Sequence, residues 1–382
     1  MSRYFYNVLL LAISTVAALL LGELISCNFF SVYPPRLISE SGHDSWYLYN
    51  AAGEIIGLRP DFRGKFVSSE FDISIRINED GFRDQSFSEK NRHAKTRICV
   101  LGDSFTFGYG VEADETYSSL IKKTLFSRGY DAEVYNLGVP ATATARQYRL
   151  FQNVLHLQPK IVIIGLLATY ADKTGNDLIG NLDFSEKNAI PRLDELAPTT
   201  RESHHAASRQ EHSQATSRLF YQLRLQRQWL LQHSHFYRRF ELFKGQEFPS
   251  WLGHWQAEAS RKKIEKGWQI TQEWVLRFQE LARQQKFDLV LLHIPFSNFR
   301  SVETAKMSRL IKDFAATQRI LFVDGLLPAM DNSQLQAQDL YFVLDGHWRP
   351  RAHQLCAEVL SDFLIKQNLL SQSFHESSSR QF

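Results

Sequence analysis

Five short strand-like segments, separated by longer stretches, constrain the fold of this 382-residue chain more than any other feature. The first, Ile98-Cys99-Val100-Leu101, follows Arg97 and stops at Gly102. The others lie at 132–138, 160–167, 287–294 and 320–324. A run that stays apolar, without alternation, marks a strand covered on both faces, as in parallel sheets. Helical spacing of apolar residues falls at 117–128, 147–157, 257–285 and 351–367. Strands alternating with helices predict an α/β fold with a mainly parallel five-stranded sheet and helices on both faces. No internal repeat is present.

The formal net charge of +3 leaves no electrostatic footprint for nucleic acid. Three cysteines, Cys27, Cys99 and Cys356, cannot build a disulfide framework. Cys99 falls in a strand and Cys356 in a helix, both expected to be buried and inert. From Phe5 to Leu21 the chain carries no charge, with Arg3 before the run and Glu23 after it. Such a run can cross a bilayer, and the positive-inside rule puts the N-terminus in the cytoplasm and the body outside. Residues 1–27 are therefore expected to form a signal anchor. A cleaved signal peptide is the second reading, although no small-x-small site follows. Lipidation is the third, because Leu24-Ile25-Ser26-Cys27 resembles a lipobox ending on Cys27.

Residues 28–95 read as a linker with a small β element. Phe71–Asn78 alternates in the strand manner, and Asn78-Glu79-Asp80-Gly81-Phe82-Arg83 has turn chemistry. The main domain is expected over 96–370, with an insertion at about 178–258 and a polar tail at 371–382. The first half of the insertion is polar and carries His204, His205 and His212. These are read as loop residues and not metal ligands, since no cysteine or close acidic spacing accompanies them. The second half, 219–243, has aromatic and leucine residues at helical spacing, expected as a lid.

Chemistry is concentrated at the strand exits. Asp103 and Ser104 stand where a helix starts, at the carboxyl edge of the first strand, where open α/β sheets bind ligands. Unpaired N–H groups there can face a developing anion. Near the end, Asp345-Gly346-His347 places an acid one residue from a histidine. A tight turn can let Asp345 accept from Nδ1–H and leave Nε2 as a base for Ser104. Taken singly, each motif also reads as a helix cap.

These blocks resemble the SGNH, or GDSL-type, hydrolases. Gly102-Asp103-Ser104-Phe105-Thr106 looks like the first family block, Asn136-Leu137-Gly138-Val139-Pro140 the second and Asp345-Gly346-His347 the last. The last is one residue tighter than the commonest form, and similar to the branch containing envelope polysaccharide acetyltransferases. Residues 78–83 also resemble a feature of a membrane-anchored bacterial branch. The resemblance implies a three-layer α/β/α flavodoxin-like fold, Ser104 as nucleophile, His347 as base and Asp345 orienting it. It implies an oxyanion hole from the N–H groups of Ser104 and Gly138 and the Asn176 side chain, without metal or cofactor. Asn176 lies unusually far from its strand, so Tyr170 is the alternative holder of that place. Phe105 and Phe107 are expected to line the acyl pocket. His293 and His353 are read as packed, and Arg349 and Arg351 as a solvated helix start or an anion contact. The function implied is an esterase or O-acyltransferase acting on an envelope glycan or lipid. The alternative is a membrane-tethered binding or assembly protein that keeps the fold without activity.

Overall fold

The computed structural model describes residues 3–29, 35–49, 55–90, 93–169, 177–183, 254–296, 300–326 and 335–371. Contacts divide the chain into two units. Of the first, the described parts are α1 (Arg3–Phe29), residues 35–36 and the turn at 67–71. α1 is 27 residues long, and most of its described side chains are exposed, Leu10 at 71%. Among the described residues no helix is long and apolar enough to cross a membrane.

The second unit opens with five short strands. β1 (Arg36–Ser39), β4 (Arg63–Val67) and β5 (Asp72–Arg76) form one small sheet, and β2 (Tyr47–Tyr49) pairs antiparallel with β3 (Ile55–Leu58). This region is more than a linker. Trp46, Ile56, Leu58, Phe62, Phe66 and Ile75 are all buried, Trp46 against the ring of Phe107 and Phe66 against that of Tyr109.

The main sheet follows. β6 (Thr96–Gly102), β7 (Ala132–Gly138), β8 (Ile161–Leu167), β9 (Asp288–Ile294) and β10 (Leu321–Asp324) are all parallel, in the order β10-β9-β8-β6-β7. Numbered along the chain this is 2-1-3-4-5, the flavodoxin-like doubly wound order. Its topological switch lies between β6 and β8, so the carboxyl ends of those two strands flank the expected ligand crevice.

The intervening helices are α2 (Ser104–Phe107), α3 (Tyr117–Ser127), α4 (Thr144–Gln152), α5 (Asp177–Asp183), α6 (His254–Gln285), α7 (Val302–Gln318), α8 (Ala337–Leu340) and α9 (Pro350–Lys366). Ile98, Val100, Ile163, Val290 and Leu292 cluster with Ile121 of α3 and Leu360 of α9. Their alternating neighbours Cys99, Leu101, Val162 and Leu291 are also buried. Both faces are therefore covered, which is why the strands read as continuous apolar runs. Tyr148 and Phe151 of α4 meet Phe278 of α6 through ring contacts of 5.0 and 6.0 Å. The helix expected over 147–157 begins earlier and ends as a 3₁₀ turn at Leu155–Leu157. The lid expected at 219–243 and the loop histidines lie outside the described residues, as does the side chain of Cys27.

Candidate active site

The nucleophile candidate sits where β6 turns into α2. Asp103 caps α2, its Oδ1 accepting from Phe105 N at 2.9 Å, and Ser104 is the first helical residue. Phe105, Thr106 and Phe107 are buried, so Ser104 stays at the rim while the rest of its turn is packed. The fit depends on glycines beside it. A Cβ on Gly138 would lie 2.3 Å from Phe107 N and 2.6 Å from Thr106 C, both backbone atoms that cannot step aside. Asn136 Nδ2 donates to Thr106 O at 3.0 Å, tying β7 to the same turn.

The histidine candidate lies on the turn before α9. Tyr341 and Trp348 pair in an antiparallel bridge, and Phe342 N donates to His347 O at 2.9 Å. Gly346, at φ +89, lets the turn close with its N–H on Phe342 O at 2.8 Å. His347 Nδ1 hydrogen-bonds Asp345 Oδ1, and Asp345 Oδ1 also accepts from His347 N at 3.3 Å. His347 Nε2 stands 2.7 Å from Ser104 Oγ. With Nδ1–H donating to the carboxylate, Nε2 is the acceptor and the serine hydroxyl donates to it. Residues 243 apart in sequence thus meet in one hydrogen bond.

Two buried acids, Asp103 and Asp177, stand at the carboxyl ends of β6 and β8. Burial raises Asp103 to about 7, against the pull of Phe105 N–H and the His347 charge. Burial, then the charge of Asp103, pushes Asp177 well above the usual carboxylate range, while Leu167 N–H lowers it. Asp177 Oδ2 accepts from Leu167 N at 3.0 Å, fixing α5 to the end of β8. Asp177 belongs to the Gly175–Leu178 motif, but nothing in the sequence marked it as a buried partner of Asp103.

Other expectations fare differently. Gly138 N–H donates to Asn136 Oδ1 at 3.0 Å, so as it stands it is engaged within its own strand. What the structure shows of Gly138 is the space it leaves for α2. Asn176 and Tyr170 both lie outside the described residues. Phe105 and Phe107 are 2% and 0% exposed and belong to the interior, so neither lines an open acyl pocket. The Phe105 ring does lie 4.8 Å from that of His347. His353 is buried, accepts from Tyr117 N at 3.2 Å and is pushed down to about 3 by burial, so it stays neutral and structural. His293 is fully buried between Ala168 O at 3.3 Å and Asp324 Oδ1 at 3.5 Å, a packed residue. Arg349 Nε donates to Tyr341 O at 3.2 Å, and its guanidinium lies over the Phe342 ring. Arg351 donates to Gln354 Oε1. Among the described residues no cluster of metal-ligating side chains occurs. One feature the sequence did not announce is Ala141, exposed in the loop after β7 at φ +59. Backbone strain of this kind concentrates at functional sites.

No family model and no curated protein matches the chain. Solved structures do align with it. A member of the lipolytic protein G-D-S-L family from Veillonella parvula is 10% identical, over 70-odd residues in every hundred (71% of this chain and 99% of that one), at a TM-score of 0.38. An alpha/beta hydrolase enzyme from the metagenome of Lake Arreo, Spain, is 17% identical over 73% of this chain and 98% of its own, at 0.38. A catalytic mutant of an acetylxylan esterase from Geobacillus stearothermophilus is 13% identical over 72% and 94%, also at 0.38. At these identities and scores the likenesses assign no activity here; the site has to be read from its own residues.

Proposed function

We propose that the chain is a serine esterase or O-acyltransferase of the SGNH type, with Ser104 as nucleophile, His347 as general base and Asp345 as its orienting acid. The observation that carries this is the hydrogen bond of 2.7 Å between Ser104 Oγ and His347 Nε2, with Asp345 behind Nδ1. As Oγ attacks the ester carbonyl carbon, its proton passes to Nε2 and the carbonyl oxygen becomes an oxyanion. Asp345 stabilises the imidazolium that forms. The imidazolium then gives its proton to the departing alkoxide, leaving an acyl-serine. Water yields the acid, or a sugar hydroxyl yields a transferred ester, once His347 has taken the incoming proton.

The oxyanion is assigned to Ser104 N–H at the open start of α2 and to the Asn176 amide. Gly138 N–H joins them only if Asn136 Oδ1 releases it. The binding-protein alternative would gain from a serine and histidine out of reach of one another, and the 2.7 Å pair gives it no such support. Membrane tethering is part of the proposal. α1 displays apolar side chains from Leu10 to Ile25, and Arg3 precedes them, consistent with an N-terminus in the cytoplasm and a body on the outer side. An ester of an envelope glycan or lipid is the substrate class that such a location brings within reach.

The test is hydrolysis of p-nitrophenyl acetate and of acetylated glycans by the full chain and by Ser104→Ala. Turnover by the wild type that disappears in Ser104→Ala is expected. Equal turnover by both would remove Ser104 from the chemistry.

A further inference from the structure

Upstream of the sheet, the turn at 78–83 delivers an arginine into the interior. Asn78 Oδ1 accepts from Asp80 N and Phe82 N, and its Nδ2 donates to Gln85 O at 3.0 Å. The residue that follows Phe82, Arg83, is 2% exposed. Its Nη1 donates to Gly108 O at 2.6 Å and Phe107 O at 3.3 Å. Its Nη2 donates to Val111 O at 2.8 Å and Ser74 O at 2.9 Å. Three of these four carbonyls bracket one short loop, 107–111, which begins at the last residue of the nucleophile helix. Glu112, just beyond that loop, accepts from Ser74 N at 2.9 Å. The loop is therefore fastened to β5 from both sides.

At the centre of the loop is Tyr109. Its ring stacks on the imidazole of His347, with centroids 4.3 Å apart and planes at 26°. Phe66 of β4 backs it edge-on at 4.7 Å, and Trp46 backs Phe66 at 4.9 Å. The groups facing His347 are thus Asp345 on its own turn, Ser104 and Asp103 from the cap of α2, the rings of Phe105 and Tyr109, and, by charge, His353 of α9.

We propose that Arg83 is a positioning residue: by holding the carbonyls of Phe107, Gly108 and Val111 it fixes Tyr109 against His347. The small β region before the sheet is then a working part of the site. A guanidinium suits this task because its planar fork serves several carbonyls at once, whereas an ammonium is a point donor. A buried guanidinium costs desolvation, and here that burial lowers it to about 10 while Glu112 and Glu115 oppose the shift. The inference rests on the proposed acyl chemistry for its effect on rate, but the contact itself can be read without turnover.

The experiment uses the full chain with carbon-13-labelled histidine, the ring signal of His347 being identified by its loss in His347→Gln. A stacked tyrosine shifts that signal upfield through its ring current. The shift is expected in the wild type and in Tyr109→Phe, and is expected to vanish in Tyr109→Leu. The proposal requires that it also vanish in Arg83→Met and shrink in Arg83→Lys, which keeps the charge and covers failure of the methionine variant to fold. In parallel, kcat on p-nitrophenyl acetate is expected to fall about 10- to 100-fold in Tyr109→Leu and Arg83→Met, with KM nearly unchanged. The double variant should lose no more than Tyr109→Leu alone, because both act through one contact. An upfield signal of wild-type size in the Arg83 variants, or additive losses in kcat, would overturn the proposal. A wild type without Ser104-dependent turnover would tell against the proposed function, and the ring shift would still decide whether Arg83 holds the stack.

Discussion

The two halves of the site are built by opposite means. The nucleophile turn is caged: Phe105, Thr106 and Phe107 are buried, Gly138 approaches to a distance no side chain tolerates, and Arg83 grips the carbonyls behind it. The histidine turn is propped. A Cβ on Gly346 would meet nothing within 4 Å, and Asp345 and His347 keep 14% and 21% of their side chains exposed. Its shape draws on backbone hydrogen bonds from Phe342, Gly346 and Arg349 and on the Asp345 carboxylate. Long-range packing therefore sets where the hydroxyl stands, while the imidazole is aimed by local bonding on its own turn and braced on one face by the ring of Tyr109. Substitutions near Ser104 should damage the fold, and those near His347 should damage the rate.

The largest effect expected is on rate alone. His347→Ala should lower kcat by roughly 10⁴- to 10⁶-fold, as loss of the base does in serine enzymes, with an unchanged unfolding midpoint. Asp345→Asn should cost about 10³- to 10⁴-fold, because the imidazole loses its carboxylate and its tautomer. Calorimetry showing that either variant unfolds many degrees earlier would blur the contrast between the two turns.

Stability separates them next. Gly138→Ala pushes a methyl into the backbone of α2 and should cost about 3 kcal/mol or more of folding free energy. Gly346→Ala meets no atom and bears only the left-handed backbone, roughly 1–2 kcal/mol. Urea unfolding of the pair checks this, and equal losses would break the comparison. A further effect on stability concerns pH. Burial raises Asp103 to about 7, above the roughly 4 of an unfolded aspartate. Between those values the folded chain binds the extra proton, so stability falls as pH rises from about 4 to 7. Asp103→Asn keeps a capping side chain and should flatten that decline; an unaltered slope would mean that Asp103 titrates normally.

Much of the main domain was legible because its strands are buried on both faces. Runs such as 98–101 and 161–164 are apolar without alternation, and the observed strands match the expected ones to within a residue or so. Ser104, Asp345 and His347 were legible because each stands beside a turn residue at a strand or helix boundary. In the small β region β5 falls within the alternation legible at 71–78, whereas β1, β2 and β3, of three or four residues, are too short to show a period. The partner of Gly138 N–H was hidden because it depends on one rotamer of Asn136. Arg83 was hidden for a different reason. A buried arginine is bound here by backbone carbonyls, and carbonyls leave no trace in a sequence.

The central claim is that Ser104 Oγ is a nucleophile activated by His347. Exposure of the full chain to a fluorophosphonate, followed by peptide mass spectrometry, tests it most directly. One adduct per chain is expected, on the peptide containing Ser104, formed in the wild type and lost in His347→Ala. No adduct on Ser104, or one that forms equally fast in His347→Ala, would contradict it.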